Sequence, residues 1–168
     1  MDAEGTGTVV VGVDGSPGSR TALVYALEDA ARRGARLRVV TAVQMPEYWA
    51  MAYGMAAPPP VPDILAGAQD AAQQEVEDVF DARPDLASQV EVSVDARAGA
   101  PARALLEAAD GADVLVIGHR GRGAVSSTVL GSVGLHCVLH AGCPVTVVRS
   151  PRMQEPPAVQ PEEAAAPV

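Results

Sequence analysis

Two glycine-bearing turns hold the residues of this chain that could do chemistry. One begins Gly118-His119-Arg120-Gly121-Arg122-Gly123 and runs on to Gly131-Ser132. It follows the apolar run Val114-Leu115-Val116-Ile117 and precedes a helical pattern from Val133 to His140. A strand that stops at glycines, then Gly-Ser at a helix start, is how an α/β protein builds an anion site. Glycine lets the backbone turn sharply and approach a ligand closely. The helix start offers N–H groups and the positive end of the macrodipole, and phosphate is the natural occupant. The second turn, Asp14-Gly15-Ser16, ends the run Val9-Val10-Val11-Gly12-Val13. If the two strands are neighbours, Asp14 faces the glycine loop. Its carboxylate can then accept ribose hydroxyls while glycine N–H groups hold phosphates. The plainer reading of Asp14 is a turn-forming residue that bonds its own backbone.

Other polar residues carry weaker signals. All 12 basic residues are Arg, so neither a phosphate-binding lysine nor Schiff-base chemistry is available. Arg120 and Arg122 either pair with phosphate, bidentate in good geometry, or stand in solvent. Ser126, Ser127 and Thr128 read as loop residues. His136 and His140, four apart on the presumed helix, have a metal-compatible spacing but no third ligand in the sequence. His140 at a helix end is better read as a partner of the last carbonyls. Tyr48, Trp49 and Tyr53 cover a ligand, serve a partner or anchor their loop on the core. Cys137 and Cys143 sit in apolar surroundings, outside any Cys-x-x-Cys pair, and read as buried free thiols.

These turns need a scaffold. The 168 residues, 48% of them hydrophobic, suffice for one domain with an ample core. The run Val9–Val13 is the mark of a strand buried on both faces. Ser16 can cap the next helix, with Pro17 at its first position. Ala22, Leu23, Ala26, Leu27, Ala30 and Ala31 recur at helical spacing until Gly34 stops them. Leu37–Val43 reads as a second strand. The proline-rich segment from Met45 to Pro62 is long enough to be a lid or binding segment. Asp63 is expected to cap a helix reaching about Ala82. Val90, Val92 and Val94 alternate with polar residues as in a half-exposed strand. A helix over about Ala100–Ala109, the Val114–Ile117 strand, the glycine loop, its helix and the strand Val145–Val148 complete the series. Strand and helix alternate throughout, which implies a parallel sheet with helices on both faces. In such sheets the ligand sits at the carboxyl ends of the strands, where the strand order reverses. Residues 1–7 read as a flexible N-terminus, 8–150 as the domain, and 151–168 as a disordered Pro/Glu/Ala-rich tail.

The spacing Gly118-x2-Gly121-x9-Gly131-Ser132 resembles the nucleotide-binding motif of the universal stress protein family. Val11-Gly12-Val13-Asp14-Gly15-Ser16 resembles that family's first strand and turn, and Cys143-Pro144-Val145-Thr146-Val147-Val148-Arg149 its last strand. The likeness covers roughly Thr8 to Ser150. It implies a doubly wound, five-stranded parallel α/β sheet of strand order 3-2-1-4-5, Rossmann-like and of adenine-nucleotide alpha-hydrolase type. It implies that ATP binds, or AMP or cyclic AMP, with or without Mg2+. In that site Asp14, near Gly12, contacts the ribose, and Ala42 offers backbone groups to the adenine. Gly118 and Gly121 line the phosphate path, and Gly131 and Ser132 bind phosphate with Val133 beside them; Arg122 and Gly123 of the same loop are also expected to contact the nucleotide. His119 and Gly134 depart from the family pattern, standing where a small polar residue and a Ser are usual. The resemblance also implies a homodimer through 145–148.

The function expected is a nucleotide-dependent regulator or sensor in the stress response. The alternatives are a slow ATP hydrolase and a non-nucleotide interaction protein of the same fold. No acidic pair beside the loop, no Lys and no clear base for water speak for fast catalysis. A formal charge of -9 argues against nucleic acid and anionic membranes as partners. No apolar run is long enough for a membrane span, and residues 1–8 lack the apolar stretch of a signal peptide. A cytoplasmic protein is expected.

Overall fold

The computed structural model describes residues 7–44, 60–119 and 130–150. Their elements are β1 (Thr8–Gly12), α1 (Pro17–Arg33), β2 (Arg36–Val43), α2 (Val61–Ala82), α3 (Pro84–Ala87), β3 (Val92–Ala98), α4 (Pro101–Ala108), β4 (Val114–Gly118), α5 (Ser132–His140) and β5 (Val145–Val148). The five strands form one parallel sheet in the order β3-β2-β1-β4-β5. The order reverses between β1 and β4, the neighbours that the two glycine turns require. Of the terminal segments expected at 1–7 and 151–168, all but Gly7 lies outside the described residues; the Gly7 carbonyl accepts the Arg36 N–H at 2.8 Å.

Central position explains the composition of β1. Val9, Val10 and Val11 are fully buried. Val9 and Val11 pack with Leu23 and Leu27 of α1 and with Val76 and Val79 of α2. Val10 points the other way, to Leu105 and Ala108 of α4 and Cys137 of α5. The helices therefore cover both faces, and each large apolar side chain so buried contributes about 1.5–3 kcal/mol.

Local signals bound α1 as its sequence implies. Ser16 is the N-cap and its hydroxyl accepts the Ser19 N–H at 3.2 Å. Gly34 ends the helix at φ 62, in the left-handed region that favours glycine. Arg32 and Arg33 of the last turn hold the buried Asp29 carboxylate at 2.9 and 2.7 Å.

Two expectations about boundaries are corrected. Asp63 does not cap α2; Pro60 is the N-cap and Asp63 lies in the first turn. Pro62 fits there because the first-turn N–H groups have no intrahelical partner anyway. The third strand starts at Val92, beyond the buried Val90, and runs on to Ala98, paired with β2 as far as Val43. Polar residues extend it because Asp95 and Arg97 lie on a partly open face. Burial raises the Asp95 carboxyl, but hydrogen bonds from Arg97 at 2.9 Å and Arg38 at 2.7 Å outweigh it and hold the group below its ordinary range.

β3 is an edge strand, with one row of backbone groups facing away from the sheet. Gln69 of α2 covers part of that row. Its amide donates to Val94 O at 2.7 Å and accepts the Ala96 N–H at 2.8 Å, as a neighbouring strand would. Replacing Gln69 with Leu keeps the bulk and strips both bonds, at an expected cost of about 1–2 kcal/mol. Denaturant titration would measure it. A change under about 0.5 kcal/mol would show that the clamp does not hold the edge.

Candidate functional site

The carboxyl end of β1 turns through Asp14-Gly15-Ser16. The Val13 N–H still donates to Val40 O of β2 at 2.9 Å. Asp14 Oδ1 accepts the Ser16 N–H at 3.0 Å, so the Asx turn expected of this residue forms. Gly15 has φ 75, which other residues rarely adopt. Asp14 stays half-buried, its carboxylate oriented by the turn. Ser19 is buried, and its hydroxyl donates back to Ser16 O at 2.9 Å. The first turn of α1 is thus fastened at several points.

That turn lies directly on the end of β4. A methyl group at Gly118 would stand 2.7 Å from Gly18 O and 2.8 Å from Gly18 C. Two backbones meet here with no room for a side chain. Gly12 has a parallel duty on the other face, where an added methyl would come 2.9 Å from Leu105 Cδ2. Both glycines therefore have packing reasons that stand whatever the ligand. The first turn of α1 is the part of the site that sequence reading missed. A Gly-x-x-Gly pattern shows neither which segment crosses it nor how closely.

Beyond Gly118 the chain is fastened through one peptide. The His119 N–H donates to Val148 O of β5 at 2.7 Å, and His119 O accepts the Gly131 N–H at 3.3 Å. This brings the start of α5 to the end of β4. Gly131 is the N-cap, with no side chain capping the helix and no acidic residue in its first turn. Ser132 is exposed and Val133 half-buried. A helix start of this kind presents N–H groups and a positive dipole end to an anion.

The structure thus places Gly12, Asp14, Gly118, Gly131, Ser132 and Val133 around the β1–β4 switch point. Ala42 lies one strand away, near the carboxyl end of β2, opposite Arg97 of β3. Gly121, Arg122 and Gly123 lie outside the described residues, as do Arg120, Tyr48, Trp49, Tyr53, Ser126, Ser127 and Thr128. The two cysteines are free, Cys137 buried and Cys143 half-buried. Burial pushes both thiols up. Among the described residues, no three His, Cys, Asp or Glu side chains gather as a metal cluster. His140 Nδ1 lies 2.9 Å from His136 O, the carbonyl contact expected of it. No helix among the described residues is long and apolar enough to cross a membrane.

A doubly wound parallel sheet with a polar turn and an uncapped helix start at its switch point defines a Rossmann-like α/β protein. The chain matches the model of the universal stress protein family over residues 5–149, and it belongs to that family. A universal stress protein of Mycobacterium tuberculosis is 35% identical over 159 residues, covering 89% of this chain and 50% of the relative. The chain thus spans about half the length of the mycobacterial relatives it matches. A universal stress protein of Thermus aquaticus is 34% identical over 149 residues, covering 84% of this chain and 98% of the relative. Among solved structures, a universal stress protein in complex with cAMP is 27% identical with a TM-score of 0.58, covering 86% of this chain and 97% of the other.

Proposed function

We propose that this chain binds an adenine nucleotide, ATP foremost, in the crevice at the β1–β4 switch point. It acts in the cytoplasm as a nucleotide-dependent regulator of a stress response rather than as an enzyme. The observation that carries the reading is the pairing of the Asp14 turn with the uncapped start of α5 at the carboxyl ends of β1 and β4. The solved complex of a family member with cAMP supports it. The N–H groups of Ser132 and Val133 and the Ser132 hydroxyl hold phosphate oxygens. The Asp14 carboxylate accepts ribose hydroxyls, and the backbone near Ala42 meets the adenine. Gly121, Arg122 and Gly123 complete the phosphate path, and Mg2+ accompanies the phosphates where ATP is the ligand.

Asp14→Ala tests the ribose contact. Losing a hydrogen bond to a charged group costs about 1.5–3 kcal/mol, so the affinity for ATP and AMP should fall at least about tenfold. Asp14→Asn retains the Asx turn and controls for local unfolding. Unchanged affinity in Asp14→Ala would remove the carboxylate from the site.

The chain is further proposed to form a homodimer through β5. That strand lies at the sheet edge, and Leu135, Val138 and Leu139 of α5 are exposed near it. Pairing two such edges satisfies their backbone groups and covers apolar surface. Light scattering at micromolar concentration should give twice the 17.2 kDa chain mass. A monomer at that concentration overturns the dimer.

A further inference from the structure

The C-terminal half of α5 carries two histidines that no part of the nucleotide site uses. His136 and His140 are both exposed and lie one helical turn apart. Their rings stack with centroids 4.3 Å apart and planes 25° from parallel. Each neutral imidazole carries one ring-nitrogen lone pair able to coordinate a metal ion.

The hydrogen bond of His140 settles which nitrogen carries that lone pair. His140 Nδ1 lies 2.9 Å from the His136 carbonyl oxygen. A carbonyl can only accept, so Nδ1 carries the hydrogen and Nε2 is left with the lone pair. An N–H bonded to a backbone carbonyl while the other ring nitrogen faces outward is the usual support of a metal-binding histidine. His136 can turn its exposed ring toward the same ion, because the terminal torsion of histidine is broad. The setting adds to the attraction, since a cation at the last turn of a helix meets the negative end of the macrodipole.

We propose that His136 and His140 form a two-histidine site for a borderline transition-metal ion, Cu2+, Ni2+ or Zn2+. Imidazole selects these ions over Mg2+ and Ca2+, which take oxygen ligands. Water fills the remaining positions, so the ion exchanges freely. Affinity follows the order of first-row metals, with Cu2+ the tightest. The site lies at the opposite end of α5 from Ser132, and its occupancy does not depend on nucleotide.

The test is titration calorimetry of the full chain with NiCl2 and CuCl2 in a non-chelating buffer. It compares the wild type, His136→Gln, His140→Gln and the double variant, with Cys143→Ser as a control for thiol binding. The expected result is one ion per chain, with Cu2+ bound more tightly than Ni2+. Each single variant should weaken binding about tenfold or more, the double variant should abolish it, and Cys143→Ser should leave it unchanged. Electron paramagnetic resonance of the Cu2+ complex should show two nitrogen ligands in the wild type and one in each single variant. Equal affinity in the wild type and the double variant overturns the site, as does loss of binding in Cys143→Ser.

Discussion

Gly131→Val is expected to leave the protein folded while removing most of its affinity for nucleotide. Gly131 has φ -60 and ψ 156, a backbone that any residue adopts. Among the described residues, a β-carbon there would find only His119 O nearby, at an ordinary 3.8 Å. Nothing among the described residues therefore demands glycine, and the cost to stability should stay within about 1 kcal/mol. In the proposed site, however, phosphate must approach the N–H groups of the residues that follow, and an isopropyl group at the N-cap stands in that approach. The expected loss of ATP affinity is about 100-fold, or roughly 2.7 kcal/mol. Thermal melting and calorimetry on the same sample separate the two effects. A variant that melts like the wild type and binds ATP as well would show that phosphate lies elsewhere.

Gly118→Ala is expected to do the reverse, striking the fold first. The added methyl would meet Gly18 O at 2.7 Å, Gly18 C at 2.8 Å and Ser19 N at 3.2 Å. All three are backbone atoms in a capped helix turn, so no rotamer change relieves the contact. Overpacking of this kind costs about 1–3 kcal/mol, and the upper end applies because two main chains must part. For a domain of this size the melting temperature should fall by about 5–10 °C. Gly12→Ala gives the internal comparison. Its methyl would meet the two terminal methyls of Leu105, at 2.9 and 3.0 Å. That side chain can rotate, so the loss should be about 1 kcal/mol. If Gly118→Ala is as stable as the wild type, the first turn of α1 is not seated on β4 as described.

The contrast shows what the sequence could tell. Gly118 and Gly131 look alike in a motif, and both read as ligand-lining glycines. Only the crossing of α1 over β4 makes one of them a packing residue as well. The runs Val9–Val13 and Val114–Ile117 were legible as central strands because burial on both faces removes polar alternation. The start of α1 was legible because Ser16-Pro17 does what caps and first-turn prolines do. The start of α2 was not, since prolines at 60 and 62 read as loop although a first helical turn accepts them. The end of β3 was hidden because Asp95 and Arg97 look unlike strand residues until Arg38 pairs with Asp95 across the ladder. The Asp14 turn and the start of α5 could be named from their residues. Their tie through the His119 peptide could not, because backbone hydrogen bonds leave no mark on residue identity.

The proposed role of this chain depends on its holding an adenine nucleotide at the β1–β4 switch point. Calorimetric titration of the wild-type protein with ATP, AMP and cAMP tests it most directly. Saturable binding of at least one of them is expected, one nucleotide per chain, weakened in both Asp14→Ala and Gly131→Val. No saturable binding of any of the three at ligand concentrations up to about 1 mM would contradict it.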